Sequence, residues 1–390
     1  MSKLVFFPSD PISDYIKKGR TTEYLDQYYN PGGIFDEVFC LSPWGENEYE
    51  EKGHIKYIKA NPLKFAKIIS KINPDVIRGY GGYCCADWVS ISKVKHIPTV
   101  VSVHDTNPEL IHDSLRYADY IFCMSTAVKR AVVNKLNISE DKIYILPNRV
   151  DINLFKKMND DGIFERFNSK YGKGKHILHV GRRSYQKNID TVIRSLQYID
   201  EDVSCIFVGQ GDNKQYQELA ETLKVADKCY FIDRIETNDL PYWYSWCDCF
   251  CVPSRWEGFG MVFIEAASCE AAVVTSNIGP MNEFLKNGQN AILVDEYENP
   301  HKIAEAISLV LQNSQDIQNM RKNARNVGLM FEKNKIDQME KNLYSMIIPN
   351  KGRGEKNTKL YLKMLYKLSQ QYATYIMSQL KREVLRKNRG

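Results

Sequence analysis

Residues 254–274 read SRWEGFGMVFIEAASCEAAVV, and this stretch predicts a turn that opens a helix. The Gly-Phe-Gly segment after Glu257 favours the turn, and the apolar run Met261–Ala267 is compatible with the helix. Backbone N–H groups at a helix start carry partial positive charge and suit an oxygen-rich or anionic ligand. Glu257 and Glu265 are eight residues apart, so their carboxylates could bracket a polyhydroxylated molecule. A helix cap plus a solvent-facing glutamate accounts for the same pattern.

A second stretch, HILHVGRRSYQKNIDTVIRSL at residues 176–196, predicts a buried strand, a turn at Gly181 and a helix from about Asn188. Arg182 and Lys187 both fall in the loop between the strand and the helix. Ligands of doubly wound α/β sheets bind at this carboxyl edge of the strands. A planar guanidinium beside a compact ammonium suits a diphosphate, and a basic, solvated loop is the alternative.

Short apolar runs alternate with helix-length segments along the 390 residues. The strands predicted in the first half are Leu4–Phe7, Glu37–Leu41, Asp75–Arg78, Thr99–Val103, Tyr120–Met124 and Ile143–Leu146. Those in the second half are His176–Val180, Ser204–Val208, Tyr230–Ile232, Cys249–Val252, Ala272–Thr275 and Ala291–Val294. This alternation predicts an α/β fold of parallel sheets, and twelve strands are more than one sheet usually holds. We therefore expect two Rossmann-like domains, over residues 1–160 and 161–345.

The composition excludes several classes of protein. With 43% apolar and 26% charged residues the chain is of ordinary globular type, and no apolar run is long enough for a transmembrane helix. The opening MSKLVFFPSDP is too short and polar for a signal peptide, so a cytoplasmic location is expected. The ten cysteines lack Cys-x-x-Cys spacing and predict buried free thiols, and the seven histidines lack the spacing of metal ligands.

The last forty residues differ from the rest. Residues 351–390 contain eleven Lys or Arg against two Glu, which leaves the first 350 residues with a net charge of −4. Apolar residues recur there at helical spacing, at Tyr361, Leu365, Leu368, Tyr372, Ile376, Leu380 and Val384. This tail, residues 346–390, is predicted to be a basic amphipathic helix. It either packs on the N-terminal domain or contacts an anionic membrane through residues 381–390. No nucleic-acid partner is expected.

Five segments, in order, resemble glycosyltransferase family 4, the retaining nucleotide-sugar enzymes in which two Rossmann-like domains face each other across a cleft, the GT-B architecture. The segments are PNRVDINLF (147–155), VGRRSYQK (180–187), VGQGDN (208–213), the region 240–266 with its Glu-x7-Glu ending, and NIGPMNEFLKNGQNAILVD (277–295). The resemblance is strong over about residues 143–297. Earlier in the chain it is limited to TVVSVHD (99–105) and the alternation of strands.

The resemblance implies catalytic roles for four residues. Arg182 and Lys187 would neutralise the diphosphate of the donor, and Glu257 would orient the donor sugar. His104, at the end of the run TVVSV, would lie at the cleft close to the transferred sugar. A capping or core histidine is the alternative for His104.

The resemblance also implies a donor-binding set. Glu265 would hold the ribose hydroxyls, Gly181 opens the diphosphate loop, and the sugar would meet the amides of Gly258, Phe259, Gly260 and Met261. Arg234 lies in YFIDRI, close to the expected nucleotide base, where the family more often has glycine. A further departure is Pro8-Ser9-Asp10-Pro11, which stands where the family often carries a Gly-Gly pair.

The function implied is transfer of a sugar from a nucleoside-diphosphate sugar to an unknown acceptor hydroxyl, with retention of configuration and without a metal or further cofactor. The departing phosphate oxygen would help to deprotonate the acceptor. The basic tail favours a cell-surface glycan or glycolipid as the product. The alternatives are a non-catalytic nucleotide-sugar-binding protein on the same fold, and a nucleotide-sugar epimerase or phosphorylase. The presence of all four charged residues, Arg182, Lys187, Glu257 and Glu265, favours an enzyme.

Overall fold

The computed structural model describes residues 1–17, 19–45 and 49–350, together with residues 362, 366, 369 and 370. The chain divides into two compact units. The first contains Met1–Cys123, Ala131–Tyr144 and the described residues from Lys341 onwards, and the second contains Met124–Arg130 and Ile145–Glu340.

Residues 145–160 group with the second unit, whereas the domains predicted from the sequence place them in the first. The physical reason is the burial of their apolar side chains. Val150 and Phe155 are 2% and 5% exposed and pack into the core of the second unit. The guanidinium of Arg149 pairs with Asp337 and, at 2.6 Å, with the fully buried Glu340, so this segment is also fixed by charge.

The first unit holds an eight-stranded sheet in the order β3-β4-β2-β1-β5-β6-β7-β8. Strands β1 to β8 are Lys3–Phe7, Glu37–Ser42, Tyr49–Lys52, Ile55–Lys59, Val76–Tyr80, Thr99–Val103, Tyr120–Cys123 and Ile143–Ile145. The six strands predicted for this half are confirmed. The pair β3–β4 was not predicted; it is an antiparallel hairpin that adds to β2 at the edge of the sheet.

Helices cover this sheet because its central strands are apolar on both faces. Leu4, Val5, Phe6 and Phe7 of β1 are all inaccessible to solvent, as expected for a parallel strand between two helical layers. The helices of the first unit are α1 (Ile12–Lys17), α2 (Thr22–Tyr29), α3 (Phe65–Ile72) and α4 (Cys84–Ile91). Helix α5 (Thr126–Leu136) contributes its later residues to this unit.

The second unit holds a six-stranded sheet in the order β11-β10-β9-β12-β13-β14, in which every pair is parallel. Strands β9 to β14 are Lys175–Val180, Val203–Val208, Cys229–Ile232, Cys249–Val252, Val273–Ser276 and Ile292–Val294, which confirms all six predicted strands. Counted from β9, this is the 3-2-1-4-5-6 order of a Rossmann sheet, and the direction of winding reverses between β9 and β12.

Alternate side chains of each strand enter two different cores. In β12, Phe250 and Val252 pack on one face, and Cys249 and Cys251 pack on the other. The helices of this unit are α6 (Asp161–Tyr171), α7 (Ile189–Ser195), α8 (Lys214–Thr222), α9 (Leu240–Trp246), α10 (Met261–Ser268), α11 (Met281–Phe284), α12 (Pro300–Leu311) and α13 (Gln315–Met330). Helix α14 (Lys333–Ile347) follows them, with its residues divided between the units.

The cysteines behave as the sequence predicts. All ten are free, and eight of them are buried. Burial raises the pKa of thiols such as Cys205 and Cys249, so they stay protonated and act as small apolar side chains.

Within the described residues, no helix is long and apolar enough to cross a membrane. The apolar stripe predicted for the tail and the basic residues 381–390 lie outside the described residues.

Candidate functional site

The site predicted from the sequence lies at the reversal point of the second sheet. Strands β9 and β12 are direct neighbours, paired through Cys249 with Ile177 and Phe250 with Leu178. Because they are parallel, the loops that follow them, residues 181–188 and 253–260, leave the sheet at the same edge. This edge, where the order of strands reverses, forms the ligand-binding crevice of doubly wound sheets.

The loop after β9 is short and fixed at both ends. The N–H of Gly181 donates to the carbonyl oxygen of Val208 at 2.9 Å, and Tyr185–Lys187 form a single 3-10 turn. A Cβ atom at Gly181 would lie 3.0 Å from the Lys187 side chain, so glycine leaves room for the lysine to pass. As a result Lys187 is only 9% exposed, whereas Arg182 on the same loop is exposed.

Lys187 and Glu257 are in direct contact, although the family resemblance assigns them to different parts of the donor. The Lys187 Nζ atom lies 2.5 Å from Glu257 Oε1, and the Ser254 hydroxyl donates to the same oxygen at 2.8 Å. Glu257 is 6% exposed and Ser254 is fully buried. Each charge is therefore compensated by the other inside the protein, as buried charges require. An ammonium has three N–H donors, and Glu257 uses one of them.

The loop that carries Glu257 leads into helix α10 through Gly260, whose backbone is in the left-handed conformation. Gly260 has φ = +84°, and a Cβ atom there would lie 2.6 Å from the Phe263 ring. The Phe259 side chain is 5% exposed and packs on the rings of Phe284 and Phe331, so only its backbone can meet a ligand. The N–H of Phe263 donates to the carbonyl oxygen of Gly260 at 3.1 Å. The N–H groups before it, in the first turn of α10, are of the kind that lack a partner within an α-helix.

Glu265 lies one turn inside α10, where a neighbouring helix orients it. The hydroxyl of Tyr244 on α9 donates to Glu265 Oε2 at 3.0 Å. Burial, and next the Glu265 carboxylate, raise the pKa of Tyr244, so its hydroxyl stays protonated and continues to donate. Tyr244 was not identified as functional from the sequence, because its distance from Glu265 along the chain gives no signal of the contact.

The loops after β9 and β11 are joined by a buried arginine, Arg183. Arg183 has a side chain that is 1% exposed, and its guanidinium donates to Asp233 Oδ1 at 2.8 Å. Arg234, which is expected near the nucleotide base, is exposed on the β11–α9 loop and contacts Glu236 at 3.1 Å. The carboxylate next to Arg234 is thus held in place by Arg183, a contact that the sequence does not reveal.

His104 belongs to the first unit, directly after β6. Its ring lies edge-on to Tyr80, with 6.4 Å between the ring centroids, and its buried Nε2 atom has no hydrogen-bond partner among the described residues. Burial, and next the Arg78 guanidinium, lower the pKa of His104 to about 4. The imidazole is therefore neutral at physiological pH, with one nitrogen able to accept and the other able to donate.

We expect the His104 ring to remain neutral from about pH 8 down to about pH 5, below the ordinary histidine pKa of about 6.5. Because the unfolded chain takes up this proton at the higher pH, the free energy of unfolding should fall as pH decreases from about 6.5 towards about 4. NMR titration of the histidine ring signals, assigned with a His104→Gln variant, checks the pKa. A midpoint near 6.5 would show that the ring is not desolvated.

Among the residues that the structure describes, no group of three or more His, Cys, Asp or Glu side chains is placed to hold a metal ion. The loop after β9 carries the cations of Arg182, Arg183 and Lys187, and the loop after β12 carries that of Arg255.

Two family models match the chain, and together they cover most of it. Residues 37–154 match Glycosyltransferase Family 4, and residues 161–327 match Glycosyl transferases group 1. The two matches lie on either side of residues 155–160 and contain every predicted site residue.

Individual relatives agree with the models. An uncharacterized glycosyltransferase of Methanocaldococcus jannaschii is 31% identical over 260 residues, which are 59% of this chain and 65% of the relative. The O-antigen chain mannosyltransferase of Salmonella typhimurium is 26% identical over 204 residues, which are 48% of this chain and 54% of the relative. The chain thus spans less than two thirds of the length of either relative.

A solved structure extends the similarity to nearly the whole fold. The Anabaena protein HepE in complex with UDP has a TM-score of 0.72 at 18% identity, over 89% of this chain and all of the HepE chain. HepE has also been solved with UDP-glucose. Two Rossmann sheets, an ordered series of motifs and two family models lead to one conclusion: the chain is a member of glycosyltransferase family 4 with the GT-B fold.

Proposed function

We propose that this protein transfers a sugar from a nucleoside-diphosphate sugar to an acceptor hydroxyl and retains the configuration of the anomeric carbon. The observation that carries the proposal is the contact between Lys187 and Glu257 at the point where the second sheet reverses. A cation suits the diphosphate and a carboxylate suits sugar hydroxyls, so one buried pair serves the two parts of the donor on either side of the bond that breaks.

In the proposed reaction the bond between the anomeric carbon and the β-phosphate oxygen breaks, and a bond from the same face to the acceptor oxygen forms. The acceptor proton passes to the departing phosphate oxygen. Arg182 and Lys187 stabilise the charge that grows on the diphosphate, and such preorganised electrostatic stabilisation is usually the largest single contribution to catalysis. Glu265, oriented by Tyr244, would hold the ribose hydroxyls.

HepE, a protein of the same fold, binds UDP and UDP-glucose, so uridine donors are the first to test. The similarity to an O-antigen mannosyltransferase supports a role in the synthesis of surface polysaccharides and adds GDP-mannose to the panel. The decisive experiment incubates the protein with UDP-, GDP- and ADP-sugars, with and without glycan or lipid-linked acceptors. Nucleoside diphosphate release that depends on one donor, together with an α-linked product from an α-linked donor by NMR, is expected.

Two results would contradict this proposal. A protein that binds nucleotide sugars but releases no nucleoside diphosphate is a binding protein, and inversion of the anomeric centre excludes the front-face reaction.

The proposal also includes independence from metal ions, because Arg182 and Lys187 supply the positive charge. Turnover should therefore be unchanged by EDTA. If EDTA abolishes turnover and a divalent ion restores it, the proposed independence from metal ions is wrong.

We further propose that the basic residues 381–390, which lie outside the described residues, bring a cytoplasmic enzyme to the inner face of an anionic membrane. Each basic residue near such a surface contributes about 1 kcal/mol of attraction. We expect the full chain to sediment with phosphatidylserine-containing vesicles at low salt and to be released at high salt. Deleting residues 381–390 should abolish sedimentation without lowering the melting temperature. Absence of binding at low salt would leave the tail without a membrane role.

A further inference from the structure

Arg255 lies two residues before Glu257, yet its side chain reaches the other loop of the site. The guanidinium donates to the Tyr185 carbonyl oxygen at 2.6 Å and to the two carboxylate oxygens of Asp190 at 3.1 and 3.0 Å. Its Nε atom donates to Glu298 at 2.6 Å. The guanidinium also lies 3.8 Å from the centroid of the Tyr185 ring, and only 9% of the Arg255 side chain is exposed.

Further hydrogen bonds join the two loops on either side of Lys187. The Arg255 N–H donates to the carbonyl oxygen of Gln186 at 2.8 Å, and the Gln186 side-chain amide donates to the carbonyl oxygen of Trp256 at 2.8 Å. On the other side, the Asn188 side-chain amide donates to the carbonyl oxygen of Pro253 at 2.9 Å. The residues before and after Lys187 are thus both attached to the loop that carries Glu257.

We propose that Arg255 is a positioning residue, which holds the loop 181–188 against the loop 253–260 and so places Lys187 and Glu257 for the donor. The expected effect of Arg255 on turnover rests on the proposed function, whereas its expected effect on the mobility of the two loops does not. Arg255 acts through other residues, because its guanidinium is already engaged by Asp190, Glu298 and the Tyr185 carbonyl group.

The physical reason is the flexibility of lysine. An ammonium on a four-carbon stem stabilises a developing charge well only if it is fixed before the reaction. The planar fork of arginine makes two parallel hydrogen bonds to Asp190 while it stacks on Tyr185, and an ammonium cannot make both contacts. A displacement of about 1 Å at a reacting group can reduce a rate about 10²-fold, so such a constraint has a measurable effect on turnover.

The test compares Arg255→Met and Arg255→Lys with a matched control, Arg325→Met. Arg325 belongs to the same unit and donates to the carbonyl oxygens of Ile152, Phe155 and Ser268, but to neither loop of the site. Below the melting temperature, Arg255→Met should lower kcat about tenfold or more, Arg255→Lys should be intermediate, and Arg325→Met should keep its kcat. In a Lys187→Ala background the effect of Arg255→Met should largely disappear, because residues that act as a unit are not additive.

Hydrogen exchange supplies a readout that does not require activity. Amide exchange in residues 181–188 should be faster in Arg255→Met than in the native protein, and unchanged in Arg325→Met. Unchanged exchange with native kcat in Arg255→Met overturns the inference, and so does an equal loss of kcat in Arg325→Met. If the native protein transfers no sugar from any donor, the proposed function fails, and the exchange rates alone then decide whether Arg255 fixes the loop.

Discussion

Replacing Lys187 by alanine is expected to lower the rate of sugar transfer by about 10²-fold or more, the usual loss when one preorganised electrostatic contact is removed. The structure adds a second consequence. The ammonium is the partner of Glu257, which is 6% exposed, so its loss leaves a buried carboxylate without this cation. Removing one member of a buried pair costs about 3–5 kcal/mol of folding free energy. Turnover must therefore be measured per folded molecule, well below the melting temperature of the variant.

Two further variants separate catalysis from stability. Lys175 lies on β9 itself, at the amino end of the strand, and pairs with the carboxylate of Asp248 at 3.2 Å. Lys175→Ala should leave turnover unchanged, because this end of the sheet is opposite to the ligand-binding edge. In the double variant Lys187→Ala with Glu257→Gln no buried charge is left unpaired, so part of the lost stability should return while turnover stays low.

Arg182 gives a cleaner test of the diphosphate assignment, because its side chain is exposed. Arg182→Ala should lower turnover by about 10²-fold with little change in melting temperature, since exposed charges contribute little to folding. Steady-state rates with the preferred donor, and thermal unfolding of the same samples, check both statements. Near-normal turnover in both Lys187→Ala and Arg182→Ala would show that the loop 181–188 does not bind the diphosphate of the donor.

The twelve strands with apolar character could be predicted from the sequence, and the hairpin β3–β4 could not. Its strands YEEK and IKYIK are rich in charged residues. β3 is the edge strand of the first sheet, and Tyr49 and Glu51 on it are exposed. Apolar periodicity reports burial, so it does not report a strand that is mostly exposed. The grouping of residues 145–160 was missed for a related reason, since their burial is decided by contacts with distant parts of the chain.

At the site, residue types and spacing indicated where the charges lie, but not which charges meet. Lys187 and Glu257 are seventy residues apart, and only the parallel pairing of β9 with β12 brings them to 2.5 Å. Ser254 and Arg255 lie inside the stretch 254–274, yet their roles depend on the partners that the fold gives them. Ser254 donates to Glu257, and Arg255 donates to Asp190 at the start of α7. Short motifs therefore predict a ligand class, whereas the orientation of each group comes from the tertiary fold.

Replacing Glu265 by glutamine is expected to weaken the binding of free nucleoside diphosphate as well as that of the donor, because the ribose is common to both. A hydrogen bond to a charged group is worth about 1.5–3 kcal/mol, which corresponds to a change in Kd of about 10- to 150-fold. Tyr244→Phe removes the hydroxyl that orients Glu265 at 3.0 Å and should give a smaller loss with the same pattern. Isothermal titration calorimetry with UDP, GDP and the preferred donor resolves these differences.

Glu257→Gln should show the opposite selectivity, because this carboxylate is assigned to the sugar. The substitution neutralises the partner of Lys187 and leaves the ammonium with less competition for phosphate, so free nucleoside diphosphate should bind at least as tightly as to the native protein. The sugar-bearing donor should bind about 10-fold more weakly or worse, and turnover should fall with it. If both glutamine variants lose the same affinity for both ligands, the division of the two carboxylates between ribose and sugar is wrong, and Glu257 then serves mainly to hold Lys187 in place.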